Sequence, residues 1–216
     1  MPETEGSTAE HIVPVGVDRG SCSRARVLKS AAMAGAALTT GGLLTLHPKI
    51  AFSAASPSED ERILNLVLLL EYVQAAFYEE AHGHPALGSD VIEFAKIVGG
   101  HERDHVAALE HVLGAKARKR PTMDFGAATR NRQKFLAAAV KLEDLGVAAY
   151  NGQAANLTPK TLLTAAEIVS VEARHAGWIR AIAGKLPAVG PTDQPLTSGQ
   201  AMTALAKTGF VAGLHP

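Results

Sequence analysis

His101-Glu102-Arg103-Asp104-His105 contains the pair Glu102-x-x-His105, and Val171-Glu172-Ala173-Arg174-His175 repeats it as Glu172-x-x-His175. A lone glutamate stands in an apolar run upstream of each pair: Glu71 lies 31 residues before Glu102, and Glu143 lies 29 residues before Glu172. A tyrosine follows each lone glutamate by seven residues, at Tyr78 and Tyr150. The chain therefore reads as two copies of one helical hairpin. Residues three apart on a helix share a face, so each Glu/His pair points one way, and four carboxylates and two imidazoles converge.

The residues around these positions step by three and four. The series are Leu64, Val67, Glu71, Gln74, Tyr78; Ala95, Val98, Glu102, His105, Leu109, Val112; Leu136, Val140, Glu143, Val147, Tyr150; and Ala165, Ile168, Glu172, His175, Ile179, Ile182. This is the spacing of a buried helix seam. An ionised carboxylate in such a seam costs several kcal/mol unless compensated, and clustered carboxylates repel one another. Divalent cations supply the compensation. Six oxygen and imidazole donors suit two iron or manganese ions, and the lack of thiolates argues against structural zinc. The alternative is a polar core in which Glu and His satisfy one another without metal.

His101 through His105 also spells the zinc-protease pattern His-Glu-x-x-His. Helix geometry favours Glu102 and His105 as the ligands, because His101 falls about 100° of rotation away from the seam position of Glu102. The protease reading also leaves Glu71, Glu143, Glu172 and His175 unexplained. Gln74 either touches the ligands or is a packed amide, and Trp178 is read as packing.

Capping and stop signals place four long helices. Ser58 with Glu61 reads as a capping box opening a first helix over 59–82. Asp90 with Glu93 opens a second helix, or one that begins a few residues earlier, and Gly114 closes it; a third emerges from 124–129 and ends at Asn151-Gly152. The fourth starts with Thr158 as cap and Pro159 at the first helical position, and ends near Gly184. A short fifth helix, 197–208, is expected on the outside. Nothing after residue 56 keeps a strand's period of two, so the class is all-α. Residues 115–126 carry no helical pattern, and at ~3.3 Å per residue they span roughly 40 Å, the length of a long helix. Such a link lets the third helix run parallel to the second, the one-crossover arrangement of a four-helix bundle.

With 216 residues, 47% hydrophobic and 19% charged, the chain can bury one sizeable core. Its 21 basic and 21 acidic residues leave no net field to attract nucleic acid or an anionic membrane. Lys116, Arg118, Lys119 and Arg120 read as a solvated loop. Residues 1–55 read as an export signal: Arg19, Arg24, Arg26 and Lys29 precede a charge-free run over 30–46, then the small residues Ser53, Ala54 and Ala55. Gly35, Gly41 and Gly42 weaken that run as a membrane anchor. Residues 23–29 resemble a twin-arginine signal, although Ala25 splits the arginines. Cys22, the only cysteine, precedes the run and is expected to leave with the leader. The expected parts are the signal (1–55), the bundle (56–190) and a tail with the short helix (191–216).

The segments around Glu71 to Tyr78, His101 to His105, Glu143 to Tyr150 and Glu172 to His175 resemble the bacterial ferritin-like domain family that includes desiccation-related proteins. The resemblance covers residues 58–186. It implies a ferritin-like four-helix bundle and, through wider similarity to ferritins, manganese catalases and ribonucleotide reductase small subunits, a di-metal carboxylate site. Carried onto this sequence, Glu71 and Glu143 are terminal ligands, Glu102 and Glu172 bridging ligands, and His105 and His175 the nitrogen ligands. Tyr78 and Tyr150 are candidate participants in the chemistry. The expected function is an exported di-iron or di-manganese protein acting on oxygen, peroxide or Fe(II), as a homo-oligomer or alone. The alternative is a non-enzymatic stress or desiccation protein whose metal is structural or absent.

Overall fold

The computed structural model describes residues 54–215; the expected export signal, apart from its last two residues, and Cys22 lie outside the described residues. Five α-helices follow in order: α1 Pro57–Ala81, α2 Ser89–Leu113, α3 Arg132–Gln153, α4 Pro159–Ile182 and α5 Ser198–Ala206. The described residues contain no strand, only one isolated antiparallel bridge, Met123 with Val211. Among them no helix is long and apolar enough to cross a membrane.

The cross-helix bonds fix the directions. Along α1, Glu71 faces Tyr150 and Tyr78 faces Glu143, so α1 and α3 run antiparallel. Between α2 and α4, Glu102 faces His175 and His105 faces Glu172, so these also run antiparallel. The α1–α2 and α3–α4 turns are short, whereas α2 and α3 are joined by the expected crossover. Both of those helices begin at one end of the bundle, where Asp90 of α2 holds Arg132 of α3 through two 2.7 Å bonds. Helix α3 is thus parallel to α2. This is a ferritin-like helical bundle.

The ends differ from the sequence signals in instructive ways. Ser56, not Ser58, caps α1, its hydroxyl accepting from Glu59 N at 3.2 Å. Asp90 does not cap α2; Gly88 does so with φ +89°, and a side chain there would strike the Arg132 guanidinium that Asp90 binds. Helix α3 starts only at Arg132, capped by Asn131. Thr158 makes no capping bond, because its hydroxyl donates to Asp60 Oδ2 at 2.5 Å and joins the starts of α1 and α4.

Two apolar clusters flank the polar seam. The larger contains a ring stack of Phe77 on Phe135 at 5.0 Å, extended by Phe125 and Phe210. The smaller is built around Ile63, Leu68, Leu109 and Ile168. Helix α5 was expected on the outside, but Ala201 and Leu205 are fully buried in the larger cluster. The tail then binds the crossover: Asp124 N donates to Phe210 O, and Ala212 N to Thr122 O, both at 3.0 Å. Sequence patterning missed this because Phe210 and Val211 lie in a stretch without period. Val112, expected on the seam, is 51% exposed at the last turn of α2, and Trp178 is 37% exposed with its edge on Phe94. Around the basic loop, Lys116 pairs with Glu61 at 2.6 Å and Arg120 with Glu79 at 3.7 Å.

Candidate metal centre

The four long helices each deliver their polar seam residues to one level of the bundle. Glu71, Glu102, Glu143, Glu172 and His175 are buried, and His105 is nearly so. The Nδ1 of His105 lies 3.2 Å from Glu71 Oε2, 3.2 Å from Glu102 Oε2 and 3.1 Å from Glu172 Oε1. The Nδ1 of His175 lies 3.1 Å from Glu102 Oε1, 3.6 Å from Glu143 Oε2 and 3.6 Å from Glu172 Oε1. Glu102 and Glu172 therefore touch both imidazoles, whereas Glu71 touches only His105 and Glu143 only His175.

Two donor groups follow from this geometry. One is Glu71, Glu102, His105 and Glu172; the other is Glu102, Glu143, Glu172 and His175, with the ligand atoms of each group within 4.8 Å of one another. The groups share two carboxylates and divide the other four residues evenly. A sequence profile described as the ferritin-like domain matches residues 59–185. The chain belongs to the ferritin-like domain family. No curated protein matches it.

The donor set of this ferritin-like chain fits metal on its own chemistry. Glu102 Oε1, Glu143 Oε2, Glu172 Oε1 and His175 Nδ1 are buried and make no hydrogen bond among the described residues. Groups left so inside a protein are costly unless something else engages them. All four residues belong to the second donor group, and Glu102 and Glu172 belong to the first as well.

Neighbouring side chains hold the carboxylates in place. Tyr150 Oη donates to Glu71 Oε1 at 2.6 Å, and Tyr78 Oη donates to Glu143 Oε1. Each tyrosine thus serves the lone glutamate of the other hairpin. Gln74 Nε2 donates to Glu143 Oε1 and Glu172 Oε2, both at 3.2 Å, so it orients these two carboxylates rather than merely packing. Gly146 was not recognised in the sequence as part of the site. A Cβ there would lie 3.0 Å from Glu172 Oε2, so the absent side chain makes room for that carboxylate. An apolar helix interior carrying one glycine offers no sequence signal for this.

His101 stays outside both donor groups. Its Nδ1 is 2.9 Å from Nε2 of His175, the ring nitrogen that faces away from the carboxylates. The protease arrangement, in which His101 and His105 share one ion, is therefore not what the helix builds.

Charge is distributed unevenly in the metal-free cluster. Burial pulls the His105 imidazolium down, but the carboxylates of Glu102, Glu172 and Glu71 around its Nδ1 outweigh it and hold the group up at about 12. His175 is likewise held up at about 11, burial being outweighed by Glu102, Glu143 and Glu172. Burial raises the carboxyls of Glu71, Glu102 and Glu143 above the usual range. Glu172 goes the other way: burial is overcome by His105 and His175, and it falls to about 2. The tyrosines stay neutral donors, since burial and the adjacent carboxylates push both well above their ordinary value.

Proposed function

We propose that this ferritin-like chain is an exported di-metal carboxylate protein that uses two iron or manganese ions for redox chemistry with oxygen or peroxide in stress protection. Its reaction is either oxidation of Fe(II) or disproportionation of peroxide. The observation that carries this reading is the sharing of Glu102 and Glu172 between two donor groups. Glu71 and His105 would hold one ion, Glu143 and His175 the other, with Glu102 and Glu172 between them. When bound, such ions change oxidation state and act as Lewis acids on oxygen ligands.

The chain's own residues supply position and dryness. Gln74, Tyr78 and Tyr150 fix the outer oxygens of Glu143, Glu172 and Glu71, leaving the inner oxygens aimed at the centre. His101 Nδ1 meets His175 Nε2, so that with the proton on Nε2 the Nδ1 of His175 would be the nitrogen that holds metal. The flanking clusters of Phe77 and Leu68 exclude water above and below the polar level. Export rests on the charge, apolar run and small residues of 1–55, and places the mature amino terminus near Ser56; an intact leader on a cytoplasmic protein would refute it.

A second reading has its own support. Because His105 and His175 sit as cations among carboxylates, the core can balance its charge unaided, as a metal-free stress or desiccation protein requires. Metal content measured beside turnover separates the two. The mature chain loaded with Fe(II) or Mn(II) should retain about two equivalents and act on peroxide or Fe(II). Retention of less than about one equivalent favours the second reading.

A further inference from the structure

A half-open cavity of ≈ 810 Å³ lies on the outer side of the bundle, where α3 and α4 meet α5. The metal chemistry does not use it. Its floor is apolar and shallow in side chain: Leu145 and Ala148 from α3, Ala173 and Ala176 from α4. The chain between α4 and α5 arches over this floor as a strap and is fixed at its ends. Pro187 rests 3.7 Å from the Cβ position of Gly177. At the other end Leu196 N donates to Ala148 O at 2.9 Å, and Leu196 O accepts from Gln153 Nε2 at 3.2 Å. Leu196 lies so close to Gly152 that a Cβ there would overlap its carbonyl. Pro187, Val189 and Leu196 of the strap line the cavity with apolar side chains, and Val189 is 75% exposed.

The charges around this cavity are not balanced. Asp144 is taken up by Arg180 through bonds of 2.9 and 2.5 Å. Lys141 and Lys207 also line the cavity and make no ion pair among the described residues, leaving Asp193 on the strap as their only opposing charge. The lysines lie towards the same end. Leu196 is pinned above Ala148, and the nine residues of α5 carry the chain about 13 Å back along α3 to Lys207, since the residues that follow bring Phe210 against Phe77, which stacks on Phe135 near the start of α3. Lys141 is seven residues back from Ala148 on α3, about 10 Å along the helix. A volume of this size matches a small-molecule pocket, apolar in its walls with a few polar groups to orient the ligand.

We propose that this cavity binds an anionic amphiphile, an alkyl carboxylate whose chain lies under the 187–196 strap and whose head meets Lys141 and Lys207. The site is independent of the metal centre, so neither proposal depends on the other. Calorimetric titration of the full chain with dodecanoate, below its micelle concentration, tests it. Dodecanoate should bind one-to-one, and dodecyltrimethylammonium at least about tenfold more weakly, the difference that a favourable against an unfavourable head contact supports. Ala173→Trp fills the cavity from an exposed position of α4 and should abolish binding without lowering the melting temperature. The charge-reversed variant Lys141→Glu/Lys207→Glu, also at exposed positions, should weaken dodecanoate about tenfold and leave dodecanol unchanged. No binding of dodecanoate, equal binding of the cationic amphiphile, or binding that survives both variants, as capture by the apolar leader would, overturns the proposal.

Discussion

His101 Nδ1 and His175 Nε2 stand 2.9 Å apart, their rings inclined by only 15°. The contact assigns His101 to the outer edge of His175 rather than to the donor groups. His101→Ala should therefore leave metal stoichiometry intact but weaken one ion about tenfold or more, the usual cost of losing the partner of a ligating imidazole. His101→Asn can place an acceptor oxygen where Nδ1 stood and should restore affinity. Chelator competition reads both values; loss of all metal in His101→Ala would instead support the protease pattern.

Tyr150→Phe removes the donor to Glu71 Oε1, and Tyr78→Phe the donor to Glu143 Oε1. Tyr150→Phe leaves the buried Glu71 Oε1 unsatisfied, at a cost of about 1–3 kcal/mol, whereas after Tyr78→Phe the Glu143 Oε1 still accepts from Gln74 at 3.2 Å and the loss is that of one hydrogen bond, about 1 kcal/mol. Urea denaturation of the metal-free chain should show a loss for both variants, the larger for Tyr150→Phe. A change below about 0.5 kcal/mol would mean that the rings only pack.

Gly146→Ala should separate stability from binding. Alanine favours a helix interior over glycine by about 1 kcal/mol, so the metal-free melting temperature should hold or rise. The new Cβ sits 3.0 Å from Glu172 Oε2 and 3.6 Å from the Gln74 amide, and the carboxylate must shift. Metal affinity should fall about tenfold, by analogy with other disturbed ligand supports. A lower melting temperature with unchanged affinity would contradict this role.

The ligand level was legible in the sequence because two constraints coincide there. Glu71, Glu102, Glu143 and Glu172 interrupt seams that are otherwise apolar, and the structure brings all four together with His105 and His175. The patternless link over 115–126 likewise announced the crossover. What escaped were contacts made by residues without period or with more than one use. Asp90 and Thr158 look like helix caps, but each spends its side chain on a distant helix, Asp90 on Arg132 and Thr158 on Asp60. Phe210 and Val211 join the core through a bridge to the crossover that no local pattern encodes. Gly146 acts through an atom it lacks.

Loading metal should release protons. His105 is raised to about 12 and His175 to about 11, so at pH 7 both imidazoles carry a proton that a ligating nitrogen must lose. Without metal, these raised values stabilise the fold fully below the ordinary histidine value of 6.5, and the contribution disappears as pH rises through about 11–12. Metal affinity has the opposite slope and should increase with pH. Calorimetry of Mn(II) binding in buffers of differing ionisation enthalpy should show net proton release at pH 7; zero release would mean that the imidazoles do not ligate.

The central claim is that Glu102 and Glu172 belong to two metal positions at once. Titration of the metal-free chain with Mn(II) or Fe(II), monitored by metal content after gel filtration, tests it directly in wild type, Glu71→Ala and Glu172→Ala. The account predicts about two equivalents for wild type, loss centred on one position for Glu71→Ala, and loss affecting both for Glu172→Ala. Wild-type chain that retains no metal, or Glu172→Ala that still holds about two equivalents, would contradict it.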